Sequence, residues 1–176
     1  ALDVQGIVLT NGHQDHVGAL AEMLEAGFAG PIYATAATFD IATMIVEDGL
    51  GIEGASTREI REFRTRLATL ARRVRYDVPF QANGLTVTLH EAGHILGSAS
   101  VEVESADARV LVSGDLGRPS SPLLRDFQTT WSAHKPFDLV VMESTYGDRN
   151  HRHGGAEVEA ELERVVKRAL HDGGHI

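Results

Sequence analysis

The stretch Asn11-Gly12-His13-Gln14-Asp15-His16-Val17-Gly18 decides the interpretation of this chain, because it holds three good metal ligands within four residues. It follows the apolar run Ile7-Val8-Leu9, which predicts a buried strand, and it leads into a helical pattern. Alternate side chains of a strand share a face, so His13 and Asp15 project together, and His16 joins them where the helix starts. These are the donors that Zn²⁺ and similar divalent ions take, and two adjacent sites can hold two ions. In a plainer interpretation, Asp15 only caps the helix and the first two residues of the stretch form a turn.

Composition limits the chemistry that the chain can carry. Its 176 residues, 43% of them apolar, suffice for one globular domain with a sizeable core. The sequence has no cysteine, which excludes disulfides and cysteine zinc sites within it, whereas nine histidines can hold a metal. The net charge of −9 argues against a surface that generally coats nucleic acid, although bound divalent ions would add positive charge for a phosphate. No run approaches the roughly 20 apolar residues of a membrane span, so we expect a cytoplasmic protein without a membrane partner.

Hydrophobic periodicity predicts the alternating strands and helices of an α/β protein. We expect strands over residues 2–10, 31–34, 85–90, 100–103, 109–113 and 137–142, and helices over residues 17–26, 35–46, 56–75 and 155–170. A capping box, Ser56-Thr57-Arg58-Glu59, marks the start of the third helix. The arginine-rich face of that helix could touch a polyanion, but such a face is more often simply solvated. Residues 118–136 hold three of the five prolines and are expected to form a long loop.

Three later segments place further candidate site residues at strand ends. His94 lies in a glycine-rich loop over residues 91–99 and is a better candidate for a third imidazole ligand than His90, which ends a strand. The alternative for His94 is an ordinary packed or surface histidine. Asp115 follows a strand between glycines, where it either shapes a turn or offers one oxygen to each of two ions, and both interpretations stay open. Glu143 follows the last predicted strand, a position that favours a site residue but also suits a solvated carboxylate.

Together these segments resemble the motifs of the metallo-β-lactamase superfamily and, within it, of the β-CASP nucleases that process RNA. The superfamily pattern His-x-Asp-His-x-Gly is matched from His13 to Gly18, and the loop Ala92-Gly93-His94-Ile95-Leu96-Gly97-Ser98-Ala99 resembles the next motif. Ser113-Gly114-Asp115 resembles the bridging-aspartate motif. Glu143-Ser144-Thr145-Tyr146-Gly147-Asp148-Arg149 is similar to the first β-CASP motif, which favours RNA nucleases over glyoxalases and lactamases.

The resemblance implies an αββα sandwich that is incomplete at both ends: part of a metallo-β-lactamase domain over residues 1–176, with a β-CASP domain following. It also implies two zinc ions held by five side chains: His13 and His94 on one ion, Asp15 and His16 on the other, and Asp115 bridging both. Asp15 would additionally accept a proton from the attacking water, and Glu143 would orient a catalytic histidine outside this chain. Two such cations activate water near neutral pH and neutralise the charge that grows on a phosphodiester.

Asn11 departs from the family pattern, since it stands where the family has its first histidine. Its amide oxygen is neutral and a poorer zinc ligand than imidazole. The leading interpretation is a zinc-dependent hydrolase of RNA phosphodiester bonds, with RNA as its substrate and a homodimer as one possible assembly. Two alternatives stay open: a non-catalytic relative that binds RNA or a partner, and a metallohydrolase of small esters or thioesters.

Overall fold

The structure, a computed structural model, describes residues 3–131, 135–149 and 155–175. These ranges contain two β-sheets and five helices. The strands are β1 (Ile7–Val8), β2 (Ile32–Ala34), β3 (Ala71–Arg73), β4 (Phe80–Ala82), β5 (Leu85–Glu91), β6 (Ala99–Glu104), β7 (Arg109–Val112) and β8 (Leu139–Val141). The helices are α1 (Gln14–Val17), α2 (Leu20–Glu25), α3 (Ala36–Ile52), α4 (Thr57–Leu70) and α5 (Gly155–Asp172).

The first sheet is parallel, with the strand order β1-β2-β3, and helices α2 to α4 pack against it. Ile32 on the central strand is fully buried among Leu24 of α2, Phe39 of α3 and Phe63 of α4. Burying a side chain of this size stabilises the fold by about 1.5–3 kcal/mol. This helical layer therefore anchors the segment after β1 that carries the first candidate ligands.

The second sheet has the strand order β4-β5-β6-β7-β8 and is antiparallel except for the parallel pair β7 and β8. Val87, Leu89 and Val101 on its inner face form a second apolar cluster, against which Val8 of β1 and Val74, the residue after β3, pack. Alternation along each strand places these apolar side chains on one face. The predicted α/β class with two packed sheets is thus confirmed.

The outer face of the second sheet carries a buried polar cluster formed by His90, Glu102 and Arg109. Glu102 Oε2 lies 3.1 Å from His90 Nε2, and Arg109 Nε donates to Glu102 Oε1 at 2.8 Å. Burial alone would raise the pKa of Glu102, but hydrogen bonds from Arg109 and His90 outweigh it and hold that pKa below its usual value. Trp131 packs edge-on against His90 and against Phe137. The His90 ring is therefore held by Glu102 within the second sheet and by Trp131.

Several element boundaries differ from those expected from the sequence. The strand expected over residues 2–10 is reduced among described residues to Ile7 and Val8 of β1, which pair with β2, although the Leu9 N–H also donates to the carbonyl oxygen of Tyr33 at 2.9 Å. The helix expected over residues 17–26 starts earlier, at Gln14, and is split at residues 18–19 into α1 and α2. Helix α3 continues six residues beyond the expected end, to Ile52.

The expected third helix was also too long, and two strands were missed. Helix α4 begins with the expected capping box at Ser56 but ends at Leu70, because Ala71–Arg73 leave the helix to pair with the free edge of β2. Strand β4 was not expected; it forms a hairpin with β5 across the turn at residues 83–84. Residues 71–73 continue the helical pattern of α4, and residues 80–82 carry no β-branched side chain, which is why both strands escaped the sequence analysis.

The last expected segments agree in kind with the structure. Strand β8 and helix α5 lie within one or two residues of their expected positions, and α5 is exposed along most of its length. In the expected long loop, residues 118–131 contain no helix or strand, and residues 132–134 lie outside the described residues. Across the described ranges, no helix combines the length and apolar character needed to cross a lipid bilayer.

Candidate metal centre

The first three candidate ligands follow β1 and enter helix α1. His13 is the N-cap residue, with extended backbone (φ −68°, ψ 153°), while Asp15 lies in the first turn and His16 in the last. Gly12 is needed just before them, because a Cβ there would lie 2.6 Å from Ile41 Cγ2 of α3. Close packing on α3 thus sets the direction in which this ligand-bearing turn leaves the sheet.

The loop that carries His94 is fixed by buried hydroxyl groups. The Thr35 and Thr38 hydroxyls lie 2.9 and 2.8 Å from the carbonyl oxygen of Gly97, to which both donate. Gly97 has φ +88°, and a Cβ at this position would lie 2.6 Å from Thr35 Oγ1. Ser98 Oγ accepts from the backbone N–H groups of His94 and of the next residue, at 3.0 and 3.2 Å. The start of α3 therefore holds this loop in one place.

The loop that carries Asp115 is held between the His94 loop and Glu143. Gly117 donates its backbone N–H to the carbonyl oxygen of Ala92 at 2.8 Å. Glu143 Oε1 accepts the backbone N–H of Leu116 at 2.6 Å, and that hydrogen bond holds the pKa of Glu143 below its usual range. The predicted role of Glu143, orienting a histidine outside this chain, stays a prediction; what the structure shows is a carboxylate that braces the Asp115 loop.

The three histidines converge on one oxygen of Asp115. Asp115 Oδ2 lies 3.0 Å from His16 Nε2, 3.4 Å from His94 Nε2 and 4.0 Å from His13 Nδ1. The two ring nitrogens of His94 and His13 are 3.1 Å apart, and Asp15 Oδ2 lies 3.4 Å from His16 Nε2. Ligand atoms about 2.0–2.1 Å from a tetrahedral zinc ion stand roughly 3.3 Å from one another. Most of the observed separations are therefore close to those of a zinc ligand set.

These atoms form two groups that share Asp115: His13 with His94, and Asp15 with His16. The family resemblance implies the same grouping, and the chemistry of these ligands, imidazole and carboxylate alone, suits Zn²⁺. The side chain of Asp15 is 78% exposed, whereas that of Asp115 is 27% exposed. The centre therefore lies at the surface, where a bulky substrate can reach it.

Asn11 lies beside the centre and is completely buried. Its Nδ2 group donates to Asp115 Oδ2 at 3.3 Å, and its Oδ1 atom accepts the backbone N–H of His13 at 2.9 Å. Both the donor and the acceptor of the Asn11 amide thus form hydrogen bonds within the protein.

Sequence reasoning missed the residues that support the ligands. Thr10 Oγ1 lies 2.9 Å from His16 Nδ1 and thereby sets the orientation of that ring. Ser98 does the same for the backbone of His94. Thr10 could have been found as a hydroxyl immediately before the ligand stretch, but Ser98 offers no signal, because a serine after a glycine is common in any loop.

Comparison with known proteins gives a consistent result. A family model described as the metallo-beta-lactamase superfamily matches residues 1–167. Ribonuclease TTHA0252 of Thermus thermophilus is 33% identical over 99% of this chain and 39% of its own length. Transcription termination factor FttA of Methanothermobacter thermautotrophicus and RNase aCSPSF2 of Saccharolobus solfataricus are each 28% identical over 98% of this chain. They are covered over 28% and 35% of their lengths, so the chain spans well under half of these relatives.

The match covers the whole candidate metal centre as well as both sheets. The order of motifs along the chain, the sandwich of two sheets and the family model all agree. The chain belongs to the metallo-beta-lactamase superfamily.

Proposed function

We propose that this chain contributes the metal centre of a zinc-dependent ribonuclease that hydrolyses RNA phosphodiester bonds. The observation that carries the proposal is the convergence of three imidazole rings on Asp115 Oδ2, at 3.0 to 4.0 Å. RNA as the substrate is supported by two relatives named as ribonucleases and by the segment from Glu143 to Arg149, which resembles a motif of RNA-processing nucleases.

Five side chains would hold the metal. His13, His94 and Asp115 would take one ion, and Asp15, His16 and Asp115 the other. Paired divalent cations, when bound, activate water and neutralise negative charge on a phosphodiester. Zinc is proposed because two imidazole nitrogens with one carboxylate oxygen, as offered by His13, His94 and Asp115, are a ligand set of catalytic zinc sites.

The protein groups around the centre act by position and by proton transfer. Asp15 is the proposed proton acceptor, and its exposure allows one of its oxygens to face the substrate. Leu116 is fixed by Glu143, which keeps the neighbouring Asp115 oxygen in place between the three rings. Because hydrogen bonds already hold the Asp115 and His94 loops in place, little conformational entropy is lost when the substrate binds.

The test is cleavage of a single-stranded RNA, labelled at either end, by the complete natural protein after zinc loading. Asp115→Asn is expected to lower cleavage at least about a hundredfold, because it removes the charge at the point where both groups meet. Asp107→Asn is the matched control: it changes an exposed carboxylate in the turn after β6 and should leave cleavage unchanged.

Two results would favour other functions. Turnover of a thioester without RNA cleavage would replace the ribonuclease with a small-ester hydrolase. Retention of RNA without cleavage would support a binding role, which the buried amide of Asn11 favours because it replaces an imidazole. Asn11→His distinguishes an enzyme impaired by Asn11 from a protein that only binds RNA. The impaired enzyme should gain RNA cleavage, whereas the binding protein should not.

A further inference from the structure

A groove of about 510 Å³ lies between the loop that carries His94 and the segments that follow β2 and β3. Arg75 lines it after β3, Leu96 lines it from the His94 loop, and Leu123 and Arg125 line it from the long loop. We propose that this groove binds single-stranded RNA beside the scissile phosphodiester, with the two arginines on its phosphates and the two leucines against a base. The inference rests on the proposed function in taking RNA as the substrate.

Strand direction places the groove on the same edge of the molecule as the candidate metal centre. Strands β1, β2 and β3 are parallel, so their carboxyl ends lie along one edge of the first sheet. His13 follows β1 and Arg75 follows β3, and the start of α3 lies between them after β2. Residues 95–97, directly after His94, form part of the groove wall. An RNA strand bound at the metal centre can therefore continue along this edge into the groove.

The wall that carries Arg125 is packed against the His94 loop. A Cβ added to Gly93, the residue before His94, would lie 2.5 Å from the carbonyl oxygen of Arg125. Gln128 donates its backbone N–H to the carbonyl oxygen of Glu91 at 2.9 Å, which fastens the same two segments a second time. The backbone of Arg125 is therefore fixed relative to the metal ligand.

The groove concentrates positive charge in a chain whose net charge is −9. Arg64 and Arg73 each form an ion pair with a carboxylate, whereas Arg75 and Arg125 are exposed and form none among the residues that the structure describes. Glu91 also lines the groove, but its Oε1 atom accepts a backbone N–H group at 3.0 Å. Two guanidinium groups without a counter-charge favour binding of an anion, and their planar donors match phosphate oxygens.

The apolar part of the groove suits a nucleobase. The side chains of Leu96 and Leu123 are 67% and 91% exposed. Tyr76 lies between the two walls and donates its hydroxyl group to the carbonyl oxygen of Ser98 at 2.7 Å. Burial raises the pKa of Tyr76 above its usual value, so its ring brings no negative charge toward a phosphate. Bases of single-stranded RNA can turn out onto such a surface, and apolar contacts give little sequence preference.

The first experiment measures RNA affinity with the complete natural protein freed of metal, so that cleavage does not interfere. Fluorescence anisotropy follows a labelled single-stranded oligonucleotide over a range of salt concentrations. Each phosphate contact of a single strand contributes about 0.7 to the steepness with which log affinity falls against log salt. Arg75→Ala/Arg125→Ala should therefore reduce that steepness by about 1.4 and weaken binding about 25-fold at roughly 0.1 M salt. Wild-type affinity and steepness in this variant would overturn the inference.

Two variants control for net charge. Arg61→Ala/Arg168→Ala also removes two exposed arginines, but these lie on α4 and α5 and do not line the groove. It should keep wild-type affinity and steepness, and a loss equal to that of the groove variant would overturn the inference. Arg75→Lys/Arg125→Lys keeps both charges and should retain the wild-type salt dependence.

The place of the base is tested separately. Leu96→Ala/Leu123→Ala shortens two exposed side chains and should weaken binding about threefold, with the salt dependence of the wild type. Wild-type affinity in this variant would overturn the placement of a base against the two leucines.

Cleavage by the zinc-loaded protein separates this inference from the proposed function. The groove holds RNA alike before and during the reaction, so Arg75→Ala/Arg125→Ala should raise KM and leave kcat unchanged. RNA cleavage with a wild-type KM in this variant would overturn the inference and leave the ribonuclease standing. RNA binding that depends on both arginines, without any cleavage, would overturn the ribonuclease and support the groove. No RNA binding at all would overturn both.

Discussion

Gly117 is the position where a single methyl group should separate the two halves of the candidate metal centre. A Cβ added to Gly117 would lie 1.7 Å from the carbonyl oxygen of Gly93 and 2.8 Å from the backbone nitrogen of His94. Real Cβ atoms essentially never approach another heavy atom closer than 3.0 Å. Because the obstructing atoms belong to the backbone, Gly117→Ala requires the Asp115 loop and the His94 loop to move apart by about 1.3 Å.

That displacement is large compared with the tolerance of a metal site. Ligand distances are typically kept within about 0.2 Å, and disturbing the groups that orient ligands lowers metal affinity about ten- to a hundredfold. The shift also strains the hydrogen bond from the Gly117 N–H to Ala92. Overpacking of this kind lowers the free energy of unfolding by about 1–3 kcal/mol. We expect both effects together in Gly117→Ala.

The assay compares zinc affinity, by competition with a chromophoric chelator, with the free energy of urea unfolding in the metal-free protein. Gly51→Ala is the matched control, because a Cβ there meets nothing within 4 Å in the last turn of α3. It should leave zinc affinity unchanged and raise stability by up to about 1 kcal/mol. Wild-type zinc affinity in Gly117→Ala would refute the idea that contact between these two loops builds the centre.

Three further changes test the supports of the site and the fold. The hydrogen bond from Leu116 lowers the pKa of Glu143, so its contribution to stability is complete above the ordinary carboxyl pKa and is lost as the pH falls through the lowered value. The stability difference between wild type and Glu143→Gln should therefore shrink from pH 7 to about pH 3 in urea unfolding, and a constant difference would contradict this. Ser98→Ala removes the acceptor for the His94 N–H and should cost about 1–3 kcal/mol of stability and weaken zinc binding in the chelator assay; unaltered zinc binding would argue against a positioning role. Ser56→Ala removes the cap of α4 and should lower stability by about 1 kcal/mol in thermal unfolding, and any loss of zinc affinity would show that α4 influences the centre.

The sequence was sufficient for the class of fold and for the identity of the clustered side chains. Sharp local signals were responsible: the ligand stretch starting at Asn11, the capping box at Ser56, and apolar alternation along β5 to β7. Each of these depends on neighbouring residues, so it can be read without knowing the rest of the structure. The grouping of His94 with His13 came from the family resemblance, and the structure brings those two rings together.

What the sequence did not provide depends on contacts between distant segments. Ala71–Arg73 continue a helical pattern and become a strand only because β2 has a free edge to pair with. The hydrogen bond from Thr35 to Gly97 joins residues about 60 positions apart, and the one from Asn11 to Asp115 joins residues 104 positions apart. Local propensity carries no information on such pairs, so these features appear only in three dimensions.

The hydrogen bond from Thr35 to Gly97 determines where the chain can accept inserted residues. In the segment between β5 and β6, Gly97 accepts a hydrogen bond from Thr35 at the start of α3, and Ser98 Oγ accepts one from the His94 N–H. One inserted residue would therefore move His94 away from the other candidate ligands. Residues 118–131 contain no helix or strand, and loops of this kind accept extra residues readily. Natural and engineered insertions should therefore be accommodated after Gly117 and rejected between Ala92 and Ser98.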